Sequence, residues 1–191
     1  MEQTTQYEAR EPPPDDLPDL MSRYQAGDEA AFEELYGRLA RAVRGYLRTL
    51  AAPGTDVEDL VQNTFLQIHR SRRSYLPGEP VRPWLYAIAR HVGLMARRSS
   101  GRRARREIQA EDELPEVAVL SRAAGALDRI ALGRALRVLP PAGREALWLH
   151  HVAGFSFREI AAVQGVSETA AKVRAHRALV ALRGEIAEAG K

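Results

Sequence analysis

Residues Phe155–Leu179 read "FSFREIAAVQGVSETAAKVRAHRAL". Two short helical patterns meet there at Gly165. Ser156 precedes the first, with Glu159 three residues on, which is the spacing of a capping box. Gly165 allows the tight turn that ends this helix, and Ser167 caps a second one running to about Arg183. Ile160, Ala161 and Val163 pack the first helix, and small Ala161 and Ala162 permit close approach. The second carries Lys172, Arg174 and Arg177 away from an apolar stripe of Ala171, Leu179 and Leu182. Such a pair meets the needs of a helix-turn-helix, whose second helix enters a major groove and donates to guanine acceptors or phosphates. The same pattern also suits a bundle helix with a solvated basic face, so the rest of the chain has to choose.

The chain has 191 residues, enough for one large domain or two small ones, and its 45% hydrophobic content supports real cores. It has no cysteine, which removes disulfides, thiolate metal sites and thiol nucleophiles. No apolar run approaches the ~20 residues of a membrane span. The polar, acidic start is unlike a secretory signal, so a cytoplasmic protein is expected. The net charge of +3 hides an asymmetry: residues 1–19 hold six acids against Arg10 alone, so the remainder stands at about +8. A folded portion this basic favours a polyanionic partner.

Residues 1–16, with Pro12–Pro14, read as a disordered acidic tail. Asp28 caps a long helix through Phe32, Leu35, Leu39, Val43, Tyr46 and Leu50, broken at Pro53–Gly54. Asp56 caps the next, with Leu60, Val61, Phe65 and Ile68 on one face. A proline-rich loop over Arg72–Pro83 leads into a helix from about Trp84 to Arg98 that buries Ile88, Val92 and Met95. Residues 97–106 then hold six Arg and no acid, followed by an acidic run, the pattern of a flexible linker. A second helical set starts near Val117 and reaches Leu139. Pro141 opens the helix "AGREALWLHHV", which precedes the helix pair. No stretch shows a useful strand alternation. The expected architecture is all-α: two small helical domains joined by a flexible linker, the C-terminal one a helix-turn-helix. The expected boundaries are tail 1–16, first domain 17–98, linker 99–116 and second domain 117–187.

The stretch "LPPAGREALWLHHVAGFSFREIAAVQGVSETAAKVRAHRALVALR" resembles the C-terminal domain of extracytoplasmic-function (ECF) bacterial sigma factors. Three upstream stretches resemble the N-terminal domain of the same family, in order and with similar spacing. They are "GDEAAFEELYGRLARAVRGYLRTL", "DVEDLVQNTFLQIHRSRRSY" and "PVRPWLYAIARHVGLMARR". The resemblance covers nearly all of the chain from Leu17 to Arg183. It implies an alternative sigma factor serving a stress or environmental response. Residues 17–98 would be the region 2 domain, for polymerase binding and minus-10 melting. Residues 117–187 would be the region 4 domain, for minus-35 recognition.

The resemblance also places the candidate residues. Asp59, Leu60, Gln62, Asn63 and Phe65 match the segment that docks on the polymerase clamp; Leu60 suits either that surface or the core, and Phe65 is expected in the core. Tyr75, Arg90, His91, Arg97 and Arg98 match the minus-10 and melting face, where extruding a base costs a few kcal/mol. Trp84 is expected in the core, and His91 stands where the family often has Asn. On the recognition helix, Lys172, Val173 and Arg177 match the minus-35 readers, with Ser167 at the cap and Arg174 and His176 nearer phosphates. Ala170, Ala171 and Val173 depart from the frequent family residues, exchanging a hydroxyl contact for apolar contact with a thymine methyl. The implied partners are core RNA polymerase at its clamp and flap, promoter DNA, and an anti-sigma factor, soluble or membrane-bound. A membrane-bound one would hold the protein at the inner face of the membrane. No small-molecule substrate, cofactor, metal or catalytic residue is expected. His150 and His151 point about 100° apart on a helix and do not easily share one ion. The rival readings are a stand-alone helix-turn-helix regulator and a nuclease with a DNA-binding tail. The absence of a clustered acidic motif argues against the nuclease.

Overall fold

The computed structural model describes residues 16–52, 54–104, 135–136 and 138–189, with the backbone alone for 100–104, 188 and 189. The acidic tail before Asp16, the linker after Ala104 and most of the helical pattern from Val117 to Leu139 lie outside the described residues. In chain order the helices are α1 (Leu17–Gln25), α2 (Glu29–Leu50), α3 (Val57–Ser71), α4 (Val81–Ala104), α5 (Pro141–His151), α6 (Phe157–Gln164) and α7 (Glu168–Ala189), with a short 3-10 turn at Arg72–Ser74. The described residues contain no strand, and none of their helices is long and apolar enough to cross a membrane.

Local chemistry sets the helix starts. The Asp28 carboxylate accepts from the Ala31 amide at 3.2 Å, and Asp56 accepts from the Glu58 amide at 2.8 Å. Each satisfies a first-turn N–H that has no partner within its helix. Helix α1 is an element that the sequence reading passed over. Its signal is present: Pro18 in the first turn, then Leu17, Leu20, Met21 and Tyr24 at helical spacing, all four buried. Helix α4 starts at Val81, earlier than Trp84, because Pro83 falls in a first turn whose amides need no intrahelical acceptor. It also continues to Ala104, past Arg98 and into the expected linker. Helix α7 likewise runs beyond Arg183 to Ala189. Met95, expected in the core, is 47% exposed, because it lies on the outer side of α4.

Helices α1–α4 pack as one unit around Met21, Leu35, Val43, Leu47, Val61 and Leu85. Helices α5–α7 pack as a second. Gly143 of α5 lies so close to α7 that an added Cβ would sit 2.9 Å from that of Ala178. The buried side chains of both units form one continuous core. Tyr46 of α2 and Tyr86 of α4 meet Trp148 of α5 at ring-centroid distances of 5.5 and 6.1 Å, and Tyr86 meets Phe155 at 5.0 Å. Arg82 places its guanidinium over the Phe155 ring at 5.4 Å. Linker composition carries no signal for this docking.

Candidate nucleic-acid interface

The capping box foreseen at α6 is complete. The Ser156 amide donates to Glu159 at 2.8 Å, and Ser156 Oγ accepts from the Glu159 amide at 3.3 Å. Gly165 follows with φ +65°, the left-handed turn that lets α7 leave at an angle. Ser167 Oγ then accepts from the Ala170 amide at 3.2 Å, so Ser167 orders the start of α7 as expected. Ala171, Ala175 and Ala178 face inward and are almost fully buried. Their small size brings the α7 backbone against α5 and α6. The opposite side of α7 is left outward, carrying Thr169, Lys172, Val173, His176, Arg177 and Val180, all exposed.

The recognition-helix candidates therefore divide. Lys172, Val173, His176 and Arg177 share the exposed face, with Val173 41% exposed. Lys172 pairs with Glu168 at 2.7 Å one turn back, a solvent-screened contact that holds little energy against a phosphate. Arg174 is half-buried and turns inward, donating to Gln164 Oε1 at 3.1 Å.

The α3 candidates divide in a similar way. Asp59, Gln62 and Asn63 are exposed on one side of the helix. Leu60, expected at a partner surface, is instead 5% exposed and belongs to the core, since its turn of α3 faces inward. Phe65 is buried as expected, edge-on to Tyr36 at 4.6 Å.

Around α4, His91, Arg97 and Arg98 are exposed along about two turns. Tyr75, expected as an accessible residue of the loop, is 2% exposed. Its hydroxyl donates to the Glu79 carbonyl and its ring meets Trp84 edge-on at 5.5 Å. It braces the loop from within, while Leu76 beside it is 69% exposed. Arg90 is occupied: its Nε donates to Glu145 Oε1 at 2.9 Å.

Glu145 is a residue that the sequence reading missed. It is 2% exposed and also accepts from the Tyr46 hydroxyl at 2.5 Å and from Gln164 Nε2 at 3.1 Å. Burial, with the charge of Glu145 adding to it, pushes the Tyr46 hydroxyl well above its usual pKa. The available signal was a lone acid within the apolar pattern of α5, between Gly143 and Leu147. The rings of His150 and His151 lie 4.9 Å apart and edge-on, while His150 Nδ1 is 2.9 Å from the Phe155 carbonyl oxygen and its ring stacks on Phe157 at 4.5 Å.

The chain matches two family models: Sigma-70 region 2 over residues 35–103, and Sigma-70, region 4, over residues 129–182. RNA polymerase sigma factor CarQ of Myxococcus xanthus is 38% identical over 172 residues, spanning 88% of this chain and 96% of the relative. ECF RNA polymerase sigma factor SigF of Caulobacter vibrioides is 37% identical over 165 residues, spanning 85% and 89%. Among solved structures, the sigma factor RpoE of Bartonella quintana, crystallised with the anti-sigma factor NepR, superposes with TM-score 0.70 at 25% identity, covering 81% of this chain and 96% of that one. CnrH, in complex with the cytosolic domain of CnrY, gives TM-score 0.67 at 26% identity, with coverage of 89% and 96%.

Proposed function

This chain belongs to the ECF RNA polymerase sigma factors, and on that premise we propose how its residues divide the work of promoter recognition. It is an alternative sigma factor that directs RNA polymerase to promoters. The observation that carries this reading is the presence of both modules on one chain, region 2 before region 4.

The exposed face of α7 reads the minus-35 duplex. Lys172 and Arg177 donate to base edges, Val173 touches a thymine methyl, His176 lies toward the backbone, and Ser167 and Arg174 fix the helix. Exposed His91, Arg97 and Arg98, joined by Arg90 once it is freed, line the melted minus-10 segment. Asp59, Gln62 and Asn63 dock on the polymerase clamp. The work is binding and strand opening, with no covalent step. Two units held by one polymerase raise each other's effective concentration, so each can bind its DNA weakly alone.

The domains are taken as 17–98 and 117–187, with α4 extending the first to Ala104. The protein acts in the cytoplasm in response to an environmental stress. An anti-sigma factor covers the same faces; that such a partner exists is supported by the superposing RpoE structure, a complex with the anti-sigma factor NepR.

Purified protein added to core polymerase on genomic templates should yield promoter-specific transcripts. No transcripts, together with tight operator binding by the protein alone, would establish a stand-alone regulator instead.

A further inference from the structure

The strongest unexplained feature is the buried carboxylate of Glu145. It sits on α5 of the second unit, yet two of its donors, Tyr46 and Arg90, come from α2 and α4 of the first. On its other side Gln164 donates both to Glu145 Oε2 and to the Ala142 carbonyl at 3.0 Å. Gln164 Oε1 in turn accepts from Arg174 of the recognition helix. A continuous polar chain thus runs Arg90–Glu145–Gln164–Arg174. Only two side chains separate a melting-face arginine from the helix that meets the minus-35 duplex.

That closeness conflicts with the task. Elements at minus 10 and minus 35 are about 25 base pairs apart, roughly 85 Å at the 3.4 Å rise of the duplex. No conformation that keeps Arg90 and Arg174 two side chains apart reaches both. We propose that Glu145 is an interdomain latch: it holds the region 4 unit on the region 2 unit in the free protein, occupying Arg90, and it releases when the protein engages polymerase and promoter. This rests on the reading of the chain as a two-point promoter binder.

The chemistry suits a contact made to open. A buried ion pair contributes little beyond an apolar contact of the same shape, because its desolvation offsets its attraction. It fixes one docking geometry, however, since a misplaced Glu145 would leave a bare charge in the core. On opening, Glu145, Arg90 and the Tyr46 hydroxyl all regain water. Arg97 and Arg144, on opposite units, lie close enough for the Arg97 charge to add to the burial that lowers the Arg144 pKa, so like charges also oppose closure.

The absence of cysteine makes the test direct. Spin labels at Glu33→Cys on α2 and Arg183→Cys on α7, both exposed positions, report the separation of the units. The free wild type should give one short, narrow distance. Glu145→Gln, and separately Tyr46→Phe, which keeps the packed ring, should raise the long-distance population roughly tenfold, the order expected from losing one charge-assisted hydrogen bond. Core polymerase with promoter DNA should move the wild type to the long distance. A broad, long distribution in the free wild type, or unchanged distances in both variants, would overturn the latch. Run-off transcription on the same samples separates the two claims: a closed wild type that opens in the variants yet yields no promoter transcripts refutes the sigma reading and leaves the latch standing.

Discussion

Substituting Gly143→Ala tests the packing that presents the recognition helix. The new Cβ would stand 2.9 Å from the Ala178 Cβ and 3.5 Å from the Arg174 carbonyl oxygen. Carbon atoms rest in contact at about 3.5–4.0 Å, so the first approach is too short by roughly 0.6–1.1 Å. Neither partner can rotate away, since one is a Cβ and the other is backbone, and α7 must shift as a body. Overpacking of this kind costs about 1–3 kcal/mol, while replacing a helical glycine by alanine returns up to about 1 kcal/mol. The middle of that range, about 2 kcal/mol, less the full return leaves a net loss of about 1 kcal/mol, or roughly 2–4 °C in Tm for a chain of this size. Differential scanning calorimetry reads the shift, and minus-35 duplex binding should weaken with it as α7 tilts. Gly143→Ala with Ala178→Gly should recover most of the stability, giving a clear coupling energy. An unchanged or raised Tm in the single variant, or additive effects in the pair, would refute the close approach of α5 and α7.

Three further outcomes follow from the same geometry. Arg177→Ala and Lys172→Ala should each cost about 1–3 kcal/mol and relax preference at one minus-35 base pair; binding titrations at several salt concentrations check this, and a loss uniform across sequences with the salt slope lowered by about 1 would make that residue a phosphate contact instead. Ser156→Ala removes the acceptor of the α6 capping box and should cost about 1 kcal/mol in urea denaturation, with undiminished stability arguing against the cap. The Tyr46 hydroxyl has its pKa raised by burial, then by Glu145, so its stabilising effect is complete below pH 10 and declines as pH rises beyond that. The urea midpoint should therefore fall as pH rises above about 10 in the wild type and fall less in Tyr46→Phe; equal falls would show that Tyr46 is not buried against Glu145.

Much of this protein was legible without coordinates, because the deciding signals are local. Asp28, Asp56, Ser156 and Ser167 each accept from an amide two or three residues away, so a short window of sequence contains both partners. The inward alanines and outward Lys172, Val173, His176 and Arg177 of α7 follow from the helical repeat alone. The exposed Asp59, Gln62 and Asn63 do so as well. Local pattern misled where two faces compete for burial. Leu60 and Tyr75 carry no sequence mark separating a partner surface from a core, and both are buried. Met95 sits at a core-like position in the repeat, yet is 47% exposed among the described residues.

What tertiary structure alone decided is the relation between the units. Glu145 and Tyr46 are 99 residues apart, Glu145 and Arg90 are 55 apart, and no periodicity links them. A carboxylate is also an ordinary residue on a helix until the helices around it close and remove its water. Sequence determined by itself that the chain is helical, bears both sigma modules and turns a basic helix outward, because those properties reside in single segments. The structure decided which arginines are free and which are held, because a charge at an interface takes its meaning from what the rest of the chain brings against it.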